Sequence, residues 1–285
     1  MALNTITYFS EALQMRMGVS VIIPENKWGF SLADRPEGYR YPTLWLLSGG
    51  GFDYTDWVRY SAVELFAAKA GVAVVMPSAF YSGYMDTIHG DYKYWTQITK
   101  ELPPFLRGIL PLSEAREDNF VAGFSMGGYG AFKWAMQNPE MFTSCGVFSG
   151  PIGFISREKV VFGPGHENDI GLRETEEEKT PFFFHTMVAS FSCMSAVRNT
   201  IHDNIYQLEN HLKNKTDLPQ FYIATGVEDA IADQNYKNAD LMHEMGLEFD
   251  DIRDHGRHDW EYCNRHVEKF INWIPLKNVF RMEEE

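Results

Sequence analysis

The stretch Asn119-Phe120-Val121-Ala122-Gly123-Phe124-Ser125-Met126-Gly127-Gly128-Tyr129-Gly130-Ala131-Phe132 decides how the rest of the chain is read. Its first residues form a short apolar run of the kind that becomes a strand buried on both faces. A serine flanked by glycines follows, and helical spacing begins at Met126. Gly123-x-Ser125-x-Gly127 is the nucleophile-elbow pattern, in which a strained strand-to-helix turn lifts a serine hydroxyl above the end of a sheet. The glycines have a steric reason. The turn brings its backbone against neighbouring segments, and side chains at the flanking positions would collide. The same turn aims the Met126 N–H, at a helix N-terminus, at the place where an oxyanion would form. The motif alone is short enough to arise by chance in a chain with 23 glycines; the strand before it and the helix after it give it weight.

Working outward, 43–47 is a continuous apolar run typical of a buried parallel strand and ends in Ser48-Gly49-Gly50-Gly51-Phe52. Three glycines leave a bare backbone whose N–H groups can approach a ligand. Segment 56–70 fits a helix with Trp57, Ala62, Leu65 and Phe66 on its apolar face, 72–76 is another buried strand, and 81–94 is a loop rich in Tyr, Gly and Asp. Segment 95–112 resumes helical spacing, with a kink expected at Pro103-Pro104. Two further strands, 5–13 and 15–24, precede all of this, and the alternation of Met17, Val19, Val21 and Ile23 suits a half-exposed antiparallel edge. Beyond the elbow come a strand at 144–148, a helix at 201–212, a strand at 220–225, a helix at 235–245, a strand at 247–252 and a closing helix that stops at Pro275. Between them, 152–218 loosens and reads as an insertion, either plain core or a cap over the site, with an acidic run at 174–178 and an apolar run at 181–188. Strands alternate with helices and no linker is evident. The expectation is one α/β domain over 1–285 with a mostly parallel sheet and helices on both faces.

Composition bounds the partners. The 285 residues include 45% hydrophobic and 15% aromatic side chains, enough to bury a large core, and carry a formal charge of −14. That charge argues against nucleic acid and anionic membranes, and its plainest use is solubility. Three scattered cysteines, Cys145, Cys193 and Cys263, imply no disulfide framework and no metal cluster. The N-terminus lacks the basic and apolar regions of a signal peptide, and no apolar run reaches membrane-spanning length, so a soluble cytoplasmic protein is expected.

A serine hydroxyl is a poor nucleophile until a base takes its proton, and the base needs an acid to hold its tautomer. In the α/β-hydrolase fold the order along the chain is Ser, then Asp or Glu, then His, each in a loop at the C-terminal end of a strand. Glu228, Asp229 and Asp233 follow the 220–225 strand; Asp229 is best placed and Asp233 is expected to cap the next helix. His255 and His258 follow the last strand. His258, after Gly256 and at the start of the final helix, is favoured as the base.

The segments Leu46-Leu47-Ser48-Gly49-Gly50-Gly51, Gly90-Asp91-Tyr92-Lys93-Tyr94-Trp95, the run from Arg116 to Gly130, Gly226-Val227-Glu228-Asp229 and Gly256-Arg257-His258-Asp259-Trp260-Glu261-Tyr262 together resemble the esterase-D-like serine esterases, most of all the bacterial tributyrin and acetyl esterase branch. The resemblance implies an α/β-hydrolase fold, Ser125 as nucleophile, Asp229 as acid and His258 as base. It also implies the Met126 and Gly50 amides as oxyanion donors, with Gly51 as an alternative, and no cofactor or metal. It allows dimers or tetramers. The chain departs from the branch at Ser48-Gly49, where His-Gly is usual, and at Ala230-Ile231 after the acid, where Phe-Leu is common. The Thr-Cys pair that follows Ser-Gly in S-formylglutathione hydrolases is absent. These departures bear on the substrate, not on the three catalytic positions.

The expected function is a serine carboxylesterase acting on a small-molecule ester of short acyl chain. Alternatives are S-formylglutathione, feruloyl or acetyl-sugar substrates, acyl transfer to an acceptor other than water, or a hydrolase-fold binding module without catalysis. Phe52, Trp57, Tyr84, Tyr94 and Trp260 flank the loops concerned and are candidates for pocket walls; each could equally be packing, Trp57 more so because it sits at helical spacing.

Overall fold

The computed structural model describes residues 2–25, 36–87, 90–153, 197, 199–277 and 279. The acidic run at 174–178, the apolar run at 181–188 and most of the expected insertion lie outside the described residues.

Eight strands form one sheet in the order β1-β2-β4-β3-β5-β6-β7-β8. They are β1 (Ala2–Ser10), β2 (Met15–Ile23), β3 (Thr43–Leu47), β4 (Ala73–Pro77), β5 (Asn119–Phe124), β6 (Ser144–Phe148), β7 (Gln220–Ala224) and β8 (Asp250–Ile252). β1 pairs antiparallel with β2, and β2 antiparallel with β4; every other pairing is parallel. This is the α/β-hydrolase fold. β3, β4, β5 and β6 are buried at every position, as their unbroken apolar runs require. Their side chains alternate between two cores. Trp45, Leu47 and Val75 point to the face carrying the helix after β5, while Leu44, Leu46 and Val74 point to the other.

The helices among the described residues are α1 (Asp56–Tyr60), α2 (Val63–Ala70), α3 (Tyr94–Thr96), α4 (Leu102–Ile109), α5 (Met126–Gln137), α6 (Asn204–Asn214), α7 (Ala232–Glu244) and α8 (Trp260–Trp273). α5 fills one face with Phe132 and Trp134, and α8 fills the other with Val267, Phe270 and Ile271.

Four local expectations are corrected. The helix read over 56–70 is two pieces, because the chain is extended at Ser61; α2 then starts on a new axis, and Leu65 is exposed while Val63, Phe66 and Ala67 face the core. The half-exposed edge is β1; β2 lies between β1 and β4 and is buried from Val19 to Ile23. The helix is irregular not at Pro103-Pro104, where a kink is expected, but one turn upstream. The prolines supply no N–H, sit comfortably in the first turn of α4, and the helix widens into a π segment at Gln97–Glu101, where Leu102 N–H donates to Gln97. Asp233 does not cap α7; it lies within the first turn, and Asp229 Oδ1 accepts the Ile231 N–H at 2.9 Å instead.

Candidate active site

Adjacent parallel strands deliver their following loops to one edge of the sheet, and strand order reverses around β3, so a crevice opens there. β3 and β5 are neighbours, with Leu47 opposite Gly123, which brings the loop 48–52 against the turn at Ser125. β7 and β8 deliver the loops 225–231 and 253–259 to the same edge, with Ala224 opposite Ile252.

The turn at Ser125 is as tight as its glycines imply. Ser125 has φ 53° and ψ −122°, a combination that L-residues rarely adopt. A Cβ on Gly123 would sit 2.2 Å from the Gly127 carbonyl oxygen, and one on Gly127 would sit 2.4 Å from that of Leu47. Both clashes are with backbone, so neither position can carry a side chain without moving the sheet. The Ser125 N–H donates to Phe148 O at 3.0 Å, tying the turn to the end of β6.

The loops that carry the candidate acid and base are bound to each other by backbone. Val227 N–H donates to Asp254 O at 2.9 Å and Glu228 N–H to Gly256 O at 3.1 Å. Gly226 makes this approach feasible, since a Cβ there would lie 2.1 Å from the Gly256 carbonyl oxygen. We expect Gly226→Ala to cost about 2–3 kcal/mol of stability, as overpacking against backbone does, and to lower turnover as the two loops part. Urea melts and steady-state rates on the same preparation check this, and a wild-type melt would refute it.

Three side chains named from sequence meet at this edge. His258 Nε2 lies 2.9 Å from Ser125 Oγ. His258 Nδ1 lies 3.0 and 3.2 Å from the two Asp229 carboxylate oxygens. The Asp229 side chain is sealed from solvent while His258 is 32% exposed, so the imidazole bridges a dry carboxylate and an open crevice. Burial pushes the Asp229 carboxyl upward, but the hydrogen bond and charge of His258 and the Ile231 N–H outweigh it and hold the group below the ordinary carboxylate value. His255, the other candidate base, turns away and bonds Glu228 at 2.9 Å. Glu228 also accepts the Gly256 N–H at 2.7 Å, so this neighbouring pair braces the loop.

Residues 10–272 match the model of the Esterase family, described as "Putative esterase". The chain belongs to the Esterase family. An acetyl esterase of Caldicellulosiruptor saccharolyticus is 22% identical over 274 residues, 96% of this chain and 98% of its own length. Among solved structures, the Staphylococcus aureus fluorophosphonate-binding serine hydrolase FphF superposes with a TM-score of 0.80 at 26% identity, over 96% of this chain and 98% of its own. The Staphylococcus aureus S-formylglutathione hydrolase FrmB superposes with a TM-score of 0.76 at 26% identity, with the same coverage of both chains. The chain is thus a serine carboxylic-ester hydrolase of the α/β-hydrolase fold.

In this esterase the two donors named first for the oxyanion, the Gly50 and Met126 amides, make no hydrogen bond to any described residue. The Met126 side chain reaches the same loop, since a Cβ on Gly50 would lie 3.7 Å from Met126 Sδ. Gly51 is a correction. Its N–H donates to Phe80 O at 2.9 Å, in a short bridge that Phe80 N–H to Phe52 O closes at 3.0 Å, so it is not free for a ligand.

The expected walls divide. Phe52, Tyr94 and Trp260 are half-buried at the edge of the site, and Phe52 and Trp260 pack edge-to-face at 5.3 Å. Trp57 and Tyr84 are not walls: both are fully buried and reach no open surface. Three residues that sequence reasoning passed over stand closer to the chemistry. Phe124 tilts its ring over His258 at 4.9 Å. Tyr81 lies over the glycine loop, where its ring would be 3.3 Å from a Cβ on Gly50 and 2.8 Å from one on Gly51. Phe80, held at φ 48°, exposes its ring beside it. The loop containing Phe80 and Tyr81 follows a strand at the same sheet edge, which is the only signal the sequence offered. Among the described residues, no cluster of His, Cys, Asp and Glu could hold a metal ion, and no helix is long and apolar enough to cross a membrane.

Proposed function

We propose that this esterase hydrolyses short-chain acyl esters through Ser125, His258 and Asp229. The observation that carries the reading is the unbroken contact from Ser125 Oγ through both ring nitrogens of His258 to the buried Asp229 carboxylate. Ser125 Oγ bonds to the ester carbonyl carbon as its proton passes to His258 Nε2. Asp229 holds the Nδ1–H tautomer and stabilises the imidazolium. The carbonyl oxygen, now an anion, is received by the Gly50 and Met126 amides, each worth roughly 3 kcal/mol of barrier. The C–O bond to the alcohol breaks, and the alcohol leaves with the proton from Nε2. Water then gives its proton to His258 and its oxygen to the acyl carbon, releasing the acid and restoring Ser125.

The preference for short acyl groups rests on Tyr81 covering the oxyanion loop and on the acetyl esterase among the relatives. A panel of p-nitrophenyl esters, acetylated sugars, feruloyl esters and S-formylglutathione tests it. Acetate and butyrate are expected to be turned over fastest, with a fluorophosphonate probe labelling Ser125 and labelling slowed by competing substrate. Failure to label Ser125 would remove the mechanism. Preference for long acyl chains, with labelling intact, would remove only the specificity.

A further inference from the structure

The proposed oxyanion donor Gly50 sits in a run of three glycines, the most freely jointed sequence a backbone can have. Electrostatic stabilisation needs the opposite, a donor already aimed before charge develops. Something outside the loop must hold it. We propose that Trp57 and Tyr84 are positioning residues that clamp the base of the oxyanion loop from the two faces of the sheet, each through its hydrogen bond to one of the consecutive carbonyls of Leu47 and Ser48. The proposal rests on the reading of Ser125 and Gly50 given above.

Trp57 Nε1–H donates to Leu47 O at 3.2 Å, and Tyr84 O–H donates to Ser48 O at 2.8 Å. Trp57 belongs to the core under α2 and α8, Tyr84 to the core under α5, so the donors arrive from opposite sides. The two carbonyls are also the surface on which the elbow rests: a Cβ on Gly127 would meet their oxygens at 2.4 and 2.7 Å. Because a peptide unit is planar, fixing the Ser48 carbonyl fixes the Gly49 N–H in the same plane and leaves one glycine between the clamp and Gly50. A displacement of either carbonyl would move the loop relative to the turn that carries Met126.

Each donor is itself braced. The Tyr84 ring lies so close to Gly130 of α5 that a Cβ there would be 2.5 Å from it. The residue is held at φ 53°, and the buried Lys133 of α5 donates to its carbonyl at 2.7 Å while standing 4.1 Å above the Trp95 ring. Trp57 packs edge-to-face on Trp260 at 5.0 Å. Neither side chain has any accessible surface, so neither touches substrate.

The test uses Trp57→Phe and Tyr84→Phe in the full chain, since each removes one donor and keeps an aromatic ring. For p-nitrophenyl acetate, each is expected to lower kcat about tenfold with KM held within about twofold, because the donor is misaligned only for the anionic state. The Ki of an aliphatic trifluoromethyl ketone, which forms an anionic adduct on the serine, should rise by about the same factor. Unchanged kcat and Ki, even with a lowered melting temperature, would overturn the proposal and leave both residues as packing. A rise in KM equal to the fall in kcat/KM would overturn it also. If Trp57→Phe does not fold, Tyr84→Phe decides alone; if neither folds, Lys133→Met, which loosens Tyr84 but keeps its hydroxyl, must show the same kcat and Ki shifts or the clamp is refuted. Ser125→Ala separates the two readings: an active Ser125→Ala removes the mechanism itself, whereas an inactive Ser125→Ala beside a wild-type Tyr84→Phe removes only the clamp.

Discussion

Ser125→Ala is expected to lower kcat toward p-nitrophenyl butyrate on the order of 10⁶-fold, with the melting temperature close to wild type. The two halves of that outcome have different causes. Activity falls because the hydroxyl that His258 Nε2 meets at 2.9 Å is removed and nothing takes its place. Stability survives because the strain of the turn belongs to the backbone at φ 53°, and alanine presents the same Cβ as serine there. His258→Ala should cost about as much, and the double variant no more than either alone, since a nucleophile and its base act as one device in the mechanism proposed. Independent, multiplying losses would mean that the 2.9 Å contact is not the working arrangement.

Asp229→Asn is expected to reduce kcat roughly 10⁴-fold, through the wrong imidazole tautomer, while the geometry stays in place. It carries a second signature in stability against pH. The native carboxyl is held below its ordinary value, so its contribution to stability is complete above the unfolded carboxylate range, near pH 4, and is lost as pH falls through the lower native value. Asparagine does not titrate and makes no such contribution. Melting temperatures of the two proteins, taken from neutral to acid pH, should therefore converge as the acid limb is entered. Parallel curves would show that the Asp229–His258 contact is not charge-assisted in the folded protein.

The elbow was fully legible in the sequence because its constraint is local and steric. Gly123 and Gly127 stand within a few residues of Ser125 and have backbone neighbours that only glycine tolerates. The candidate acid and base were legible through chain order, with His258 separated from His255 by its place at the start of α8. Trp57 and Tyr84 stayed open between wall and packing in the sequence, for a clear reason. Both were assigned from proximity in sequence to the glycine loop, and proximity does not say whether an aromatic ring faces the crevice or the sheet. Gly51 failed for a related one. A bare amide looks available until the strand-end bridge at Phe80 claims it, and that bridge joins segments 28 residues apart. Tyr81 and Phe124 were missed because nothing periodic marks a side chain that folds back over a loop.

The mutual backbone bonding of the loops that carry the proposed acid and base has a consequence for how this chain can change over generations. Because Val227 and Glu228 are hydrogen-bonded straight to Asp254 and Gly256, the spacing of Asp229 and His258 is set locally, at the ends of β7 and β8. The intervening α7 is a detour that the chain makes between two points already fastened together. The outer face of that helix can drift among relatives while the proposed acid and base keep their register, whereas its inner face is tied to the acid loop by Asn235 Nδ2 and Tyr236 O–H, which donate to Thr225 Oγ1 and Thr225 O at 3.1 Å. Sequence variation concentrated on the outer face of α7, beside near-invariance at Gly226 and Gly256, is the pattern this arrangement would leave behind.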